Sequence, residues 1–280
     1  MKFKFENYYE ESFLKFKNDP RPDKDLPKPD YPESKRHEEV NFYHDNGELI
    51  LIKDGLFTDT QLSDSLREAT ILDNDRLLIE RGVREVGIDA LAFYKSYRYI
   101  NEMPHKGKWG IFYYKKGLIS LQNLIQSKCP NCANALALAY EFLQVHERYH
   151  FKFDLYALSI ESHMKVGLYH PLHRAFRNHQ IYLVEEALAN RDVLDWANKN
   201  KKNKPTNFKD FVTNYMKLQP GAYARFDEDK YELAGELAAN LIDLNLNKSA
   251  RRMDQAHWVS QLPPFLFKKI KYCPEYLISD

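Results

Sequence analysis

The chain has 280 residues, of which 44% are hydrophobic and 29% are charged, and its formal net charge is +1. These values predict a globular protein with a core of its own, and a near-neutral balance without a basic stripe argues against a nucleic-acid-binding protein. Only three cysteines are present, and neither a signal-peptide core nor an apolar run of about 20 residues is found, which is typical of a cytoplasmic protein without a membrane partner.

The N-terminal part of the sequence differs sharply in composition from the rest. Five prolines stand among charged residues between positions 20 and 32. Such a stretch buries little apolar surface. We therefore expect residues 1–40 to be a flexible segment and residues 41–280 to form the folded domain. The domain begins with a predicted strand over residues 48–52 and a predicted helix over residues 60–68.

The middle of the chain contains two β-prone runs, residues 109–114 and 118–121, on either side of Gly117. This arrangement predicts a hairpin. Helical periodicity then predicts four helices, over residues 132–163, 172–198, 208–218 and 227–245. We therefore expect an α+β fold, in which a small twisted sheet packs on the long first helix and the remainder is mainly helical.

That long helix contains the pattern H-E-x-x-H, at His146, Glu147 and His150. Residues i and i+4 lie on one helical face, so both imidazoles can bind a single ion such as zinc. Glu147 is offset from His146 by roughly 100° around the helix axis. It can therefore lie beside the metal without binding it, and take a proton from a water molecule that the metal has made more acidic.

The surroundings of the motif indicate that this face is buried. Apolar residues fall on the histidine side of the helical projection, and the polar residues Gln144, Arg148 and Lys152, spaced four apart, fall on the opposite side. This amphipathic pattern predicts that the two histidines face inward. Buried polar side chains need partners, and a metal ion would provide one.

A second motif lies on the next predicted helix, where Glu185 and Glu186 are followed by Asn190. H-E-x-x-H followed by E-x-x-A-N resembles the gluzincin group of metallopeptidases, and the nearest type is the intracellular ImmA/IrrE metallopeptidases. The likeness covers about residues 109–190. It implies a zincin-like fold and a zinc-dependent endopeptidase that acts on a specific intracellular protein or peptide. It also implies that two His and one Glu bind Zn²⁺ and that Glu147 is the general base.

The resemblance leaves a choice between two candidates for the third zinc ligand. We favour Glu186, because Glu186 and Asn190 lie four residues apart on one helical face, whereas Glu185 shares its face with apolar residues. The Asn190 side-chain oxygen is then expected to accept a hydrogen bond from a ligand imidazole. The sequence departs from the family at Tyr149, where family members often carry glycine.

A peptidase of this type also needs a donor for the charge that develops on the carbonyl oxygen. In the family this donor is a Tyr or a His that no motif marks. The candidates in this chain are Tyr223 and, after it, His170, His173 and His179.

The predicted hairpin resembles the edge strand that lies beside the metal in zincins. A peptide substrate could add to an open edge at Gly110, Ile111 and Phe112, or alternatively over residues 118–121, and be held extended across the metal. A strand in the core of the sheet is the other interpretation.

Two other function classes remain open. Glu147-x-x-His150 also matches half of a di-iron helix bundle; the other half would be residues 102–105, where Pro104 is unfavourable in a helix. The alternative is an interaction module that keeps the metal, or only the fold, without turnover. The pair Cys129 and Cys132 is interpreted as reduced loop thiols, because a zinc ribbon needs two such pairs.

Overall fold

The computed structural model describes residues 49–52, 73–100, 105–130, 132–164, 180–199, 204–237 and 273–278. The predicted flexible segment over residues 1–40 and the predicted helix over residues 60–68 lie outside these ranges. Within them the chain has an α+β fold, with one small mixed sheet and mainly helical structure.

The helices of the described part carry most of its residues. They are α1 (Asp73–Val86), α2 (Lys115–Lys128), α3 (Ala135–Met164), α4 (Gln180–Asn198) and α5 (Phe208–Lys217). Residues 230–237 are also helical. The helices predicted over residues 132–163 and 208–218 are therefore confirmed with small shifts of their ends. Of the other two, residues 180–198 and 230–237 are helical, and the last helix begins three residues later than predicted. The sequence analysis missed α1. None of the described helices is both long and apolar enough to cross a lipid bilayer.

The sheet has four strands, which are β1 (Leu49–Ile52), β2 (Ala92–Lys95), β3 (Gly110–Tyr114) and β4 (Glu275–Ile278). Their spatial order is β1-β4-β3-β2. The C-terminal strand β4 lies between β1, to which it is antiparallel, and β3, to which it is parallel. β2 pairs with β3 in the antiparallel direction. The strand predicted over residues 48–52 is thus confirmed.

The predicted hairpin is wrong, because residues 118–121 belong to α2 rather than to a strand. Leu118, Leu121 and Ile125 are all buried, and their spacing is that of a helical face. Gly117 does not make a turn. It allows α2 to approach the start of β2, since a Cβ atom at this position would lie 2.9 Å from the Cα atom of Leu91.

The prediction of an open edge at Gly110, Ile111 and Phe112 is also wrong. These residues belong to β3, which pairs with β2 on one side and with β4 on the other. The strand that fills the expected edge comes from the far end of the chain, so no local pattern indicates it. In the described sheet the edge positions are held by β1 and β2.

Helix α3 lies at the centre of the described part of the fold. Its apolar residues, among them Leu138, Phe142 and Leu143, join a core with α2, α5 and the inner face of the sheet. Further along α3, Phe153 and Ala157 pack against α4 and the helical residues 230–237. The motif residues lie between these two clusters and face α4.

Candidate metal centre

The H-E-x-x-H motif faces the interior of the protein, as its periodicity predicts. His146 and Glu147 are fully buried, and His150 is 6% exposed. On the other side of α3, Arg148 and Lys152 are exposed. The surroundings of the motif are therefore set by α4, the sheet and the segments next to it.

Three ligand atoms converge where α3 meets α4. His146 Nε2 lies 3.1 Å from Glu186 Oε2 and 3.3 Å from His150 Nε2, and the third side, from His150 Nε2 to Glu186 Oε2, is 3.4 Å. Ligands bound tetrahedrally at about 2.0–2.1 Å lie about 3.3–3.4 Å apart. The triangle therefore has the dimensions of one face of such a tetrahedron, and these three residues could hold a metal ion.

Glu186 reaches the two histidines as predicted, but Glu185 reaches the site as well. Its Oε1 atom lies 2.7 Å from Nδ1 of His150, on the opposite side of the ring from Glu186. Both carboxylates are fully buried. The expectation that Glu185 belongs only to the apolar face of α4 is therefore wrong, and the consecutive pair of glutamates is the one signal in the sequence that could have indicated this.

The electrostatics of this site favour a cation. Burial lowers the pKa of His146. Burial acts in the same direction on His150, but Glu186 and Glu185 outweigh it and hold the pKa of His150 well above its usual value. Burial alone would raise the pKa of Glu186, yet the two histidines keep it well below its usual range. The two buried glutamates thus favour a proton on the His150 imidazole. A divalent ion bound at the same place could replace that proton and neutralise their negative charge.

Glu147 lies beside this network. It is fully buried, and neither of its side-chain oxygens makes a hydrogen bond of ordinary geometry among the described residues. Burial raises its pKa well above the usual value and Asp89 and Glu186 add to this effect, whereas His150 and the nearby backbone N–H of Tyr94 in β2 oppose it. The open edge of β2 and the unpaired carboxylate therefore lie side by side.

Asn190 lies one helical turn after Glu186, as predicted, and is fully buried. Its amide nitrogen donates to Gln219 Oε1 at 3.1 Å and to the backbone oxygen of Tyr223 at 3.0 Å. Its Oδ1 atom and Nδ1 of His146 have no hydrogen bond of ordinary length among the described residues, although the amide raises the pKa of His146. Asn190 therefore adjoins the ring without forming the full hydrogen bond that was expected.

Tyr223 is connected to the site through a residue that the sequence analysis missed. Its hydroxyl donates to Asp89 Oδ2 at 3.3 Å, and Asp89, His146 and Glu147 form a second group whose ligand atoms lie within 4.8 Å of one another. Asp89 is half-buried, whereas the histidines and Glu147 are buried. Asp89 is therefore the only partly exposed residue of the two groups among the described residues, and no motif marks it in the sequence.

The departure at Tyr149 has a structural explanation. The side chain packs against the cluster that joins α3, α4 and residues 230–237, and burial raises its pKa. Its ring also meets that of His150 edge-on, with 6.3 Å between centroids. The larger residue therefore fills the contact between the helices.

The remaining predicted residues lie elsewhere. His170, His173 and His179 are outside the described residues, as are Glu102 and Pro104. His105 stacks on Phe112 of the sheet, with ring centroids 5.1 Å apart, and it joins neither metal-capable group found in the described part of the chain. Cys129, Cys132 and Cys273 are free thiols, as expected for the first two.

Comparisons of this chain with models of protein families, with curated proteins and with solved structures find no match. The resemblance to gluzincins therefore rests on the two sequence motifs. The geometry adds that residues 40 positions apart, His146 and Glu186, meet in one buried site.

Proposed function

We propose that this protein is a zinc-dependent metallopeptidase of the gluzincin type, with a zincin-like fold, that hydrolyses peptide bonds in a specific intracellular protein. The observation that carries the proposal is the triangle formed by His146, His150 and Glu186, with sides of 3.1, 3.3 and 3.4 Å. An unpaired buried carboxylate, Glu147, lies beside it. Two imidazoles and one carboxylate are the protein ligands of a catalytic zinc that keeps one position open.

Each residue then has a role that follows from its position. His146, His150 and Glu186 would hold the ion. Zinc bound there would polarise the substrate carbonyl and lower the pKa of a water molecule toward about 7. Glu147 takes a proton from the water that attacks the carbonyl carbon, and passes it to the nitrogen of the leaving amine as the C–N bond breaks. One water molecule is consumed for each peptide bond.

The substrate would lie along β2 rather than along β3. β2 is an edge strand of the described sheet, and the Tyr94 backbone N–H faces Glu147. A peptide that adds to this edge as a further strand would pass directly beside the general base. The half-buried position of Asp89, just before β2, marks the side from which it would enter.

Tyr223 is the described candidate for the donor to the carbonyl oxygen. Its hydroxyl is 3.3 Å from Asp89, which in turn adjoins His146 and Glu147. In the proposed reaction the hydroxyl leaves Asp89 and donates to the oxygen on which negative charge develops. A hydroxyl already held next to the site needs only a short movement to do so.

The test compares the wild-type protein with Glu147→Gln. Both proteins are analysed for bound metal, and the newly formed N-termini are profiled after each is expressed in the same cells. We expect one zinc ion per chain in both and a set of cleavage products only with the wild type. A chain without stoichiometric zinc contradicts the proposal, and iron in its place would favour the di-iron alternative. Zinc with identical N-termini in both samples would favour a module without turnover.

A further inference from the structure

The two histidines of the triangle differ on the side that faces away from it. His150 Nδ1 lies 2.7 Å from Glu185 Oε1, whereas His146 Nδ1 is buried with no hydrogen bond of ordinary length among the described residues. The His150 and Glu185 side chains are 7% and 0% exposed. The contact is therefore short, buried and present on only one of the two rings.

This contact determines where His150 carries its proton. When Glu185 is ionised, its carboxylate can only accept hydrogen bonds, and Nδ1 of His150 is then the donor. In the neutral ring the lone pair is then on Nε2. That atom is the one that lies 3.3 Å from His146 Nε2 and 3.4 Å from Glu186 Oε2. The same hydrogen bond restricts rotation of the ring and keeps Nε2 in the triangle.

Helix α4 thus supplies two consecutive carboxylates that act on opposite nitrogens of one imidazole. Glu186 meets the Nε2 side and Glu185 the Nδ1 side. Histidine ligands of metals nearly always donate their second N–H to such a group, and its loss typically weakens metal binding about 10- to 100-fold.

We propose that Glu185 is a positioning residue of the metal centre, which holds His150 with Nδ1 protonated and makes it the more firmly oriented of the two imidazoles. This inference rests on the proposed metal site. The inference goes beyond the proposed metal site because Glu185 would contact neither the ion nor the substrate and would act only through His150.

The experiment measures metal affinity directly, without turnover. Wild type, Glu185→Leu and Glu185→Gln are loaded with Zn²⁺ in competition with a chromophoric chelator, and with Co²⁺ to record its visible absorption. We expect Glu185→Leu to bind Zn²⁺ about 10- to 100-fold more weakly and to alter the Co²⁺ bands. Glu185→Gln, which keeps an oxygen acceptor but loses the charge, should fall between the two.

A matched control is Glu161→Gln, which removes a buried carboxylate of α3 that pairs with Arg98 instead of a histidine. It should leave the Zn²⁺ affinity and the Co²⁺ spectrum unchanged. If the folded Glu185→Leu or Glu185→Gln protein matches the wild type in both readouts, the role of Glu185 is disproved while the metal site stands. If the wild type binds neither metal, the metal site and this inference are both disproved.

Discussion

Two buried carboxylates, those of Glu275 and Glu147, lie on opposite sides of helix α3. They differ in the number of hydrogen bonds that they accept. Glu275 of β4 accepts hydrogen bonds from four side chains, which are those of Tyr113, Tyr140, Gln144 and Arg148. Glu147 of α3 accepts none from a described side chain, although it is as deeply buried. Buried polar groups are almost always paired, so an unpaired one calls for an explanation other than stability.

If Glu147 is the general base that we propose, this difference separates a structural carboxyl group from a functional one along a single helix. The Glu275 side joins the C-terminal strand to the middle of α3, and every hydrogen bond there holds elements in place. Asp154, further along α3, is similar, since it accepts from Tyr94, Ser96 and Arg98. On the Glu147 side, a buried carboxyl group accepts no hydrogen bond from a described side chain. This is the arrangement expected if Glu147 is the general base that we propose, since functional groups are often kept at a cost in stability.

The largest expected effect comes from Glu147→Gln, which removes the unpaired buried carboxyl group. If Glu147 is the general base, turnover falls by about 10²- to 10⁴-fold. The free energy of unfolding should stay the same or rise, because Gln keeps the size and polarity of the side chain but cannot ionise, and burial disfavours the ionised form of Glu147. Steady-state kinetics and urea denaturation check both parts. A large loss of stability would show instead that Glu147 is a structural residue like Glu275.

Glu275→Ala should do the opposite. It leaves the hydroxyls of Tyr113 and Tyr140 without this acceptor, and each such buried group costs roughly 1–3 kcal/mol. We therefore expect the free energy of unfolding to fall by a few kcal/mol, measured by urea denaturation. Tyr140→Phe, which removes one donor to Glu275 and one acceptor of the Gln144 amide, is the matched control and should cost about 1 kcal/mol. Equal stability of Glu275→Ala and wild type would contradict this view of the β4 contact.

The third change acts on the backbone beside the proposed metal centre. Gly87 has a φ of 73°, and a Cβ atom there would lie 2.6 Å from the Tyr223 ring. Gly87→Ala should therefore cost about 1–2 kcal/mol of conformational strain and displace Tyr223. Both stability and kcat/KM are expected to fall.

Gly235→Ala provides the control for that change, because nothing lies within 4 Å of a Cβ atom at this position. Gly235 lies in the helical residues 230–237, where alanine is favoured over glycine by up to about 1 kcal/mol. The control should thus be slightly more stable than the wild type. Gly87→Ala with wild-type activity would show that Tyr223 is not needed at its present position.

Whether a feature of the fold or of the site could be predicted depends on how far apart in the sequence its residues lie. His146 and His150 follow from a spacing of four on one helix, and Glu186 follows from its spacing to Asn190 on the next. The contact between Glu185 and His150 and the position of Asp89 were missed, because they depend on how α4 and the segment before β2 pack against α3. The pairing of β4 with β3 joins residues such as Ile111 and Glu275, which no local pattern relates, and this is why the sheet edge was misplaced.

Arg148→Ala is expected to have the smallest effect. It is also the sharpest test of the comparison between Glu275 and Glu147, because Arg148 directly follows Glu147 in the sequence. Its side chain is 45% exposed and points to the other side of α3, where Nη2 lies 3.1 Å from Glu275 Oε1. An ion pair with one exposed partner contributes about 1 kcal/mol or less. Arg148→Ala should therefore lower the free energy of unfolding by at most about 1 kcal/mol and leave kcat/KM and metal affinity as in the wild type. A large loss of kcat/KM in a stable Arg148→Ala protein would mean that the two sides of α3 are coupled, and that the Glu275 network takes part in the chemistry.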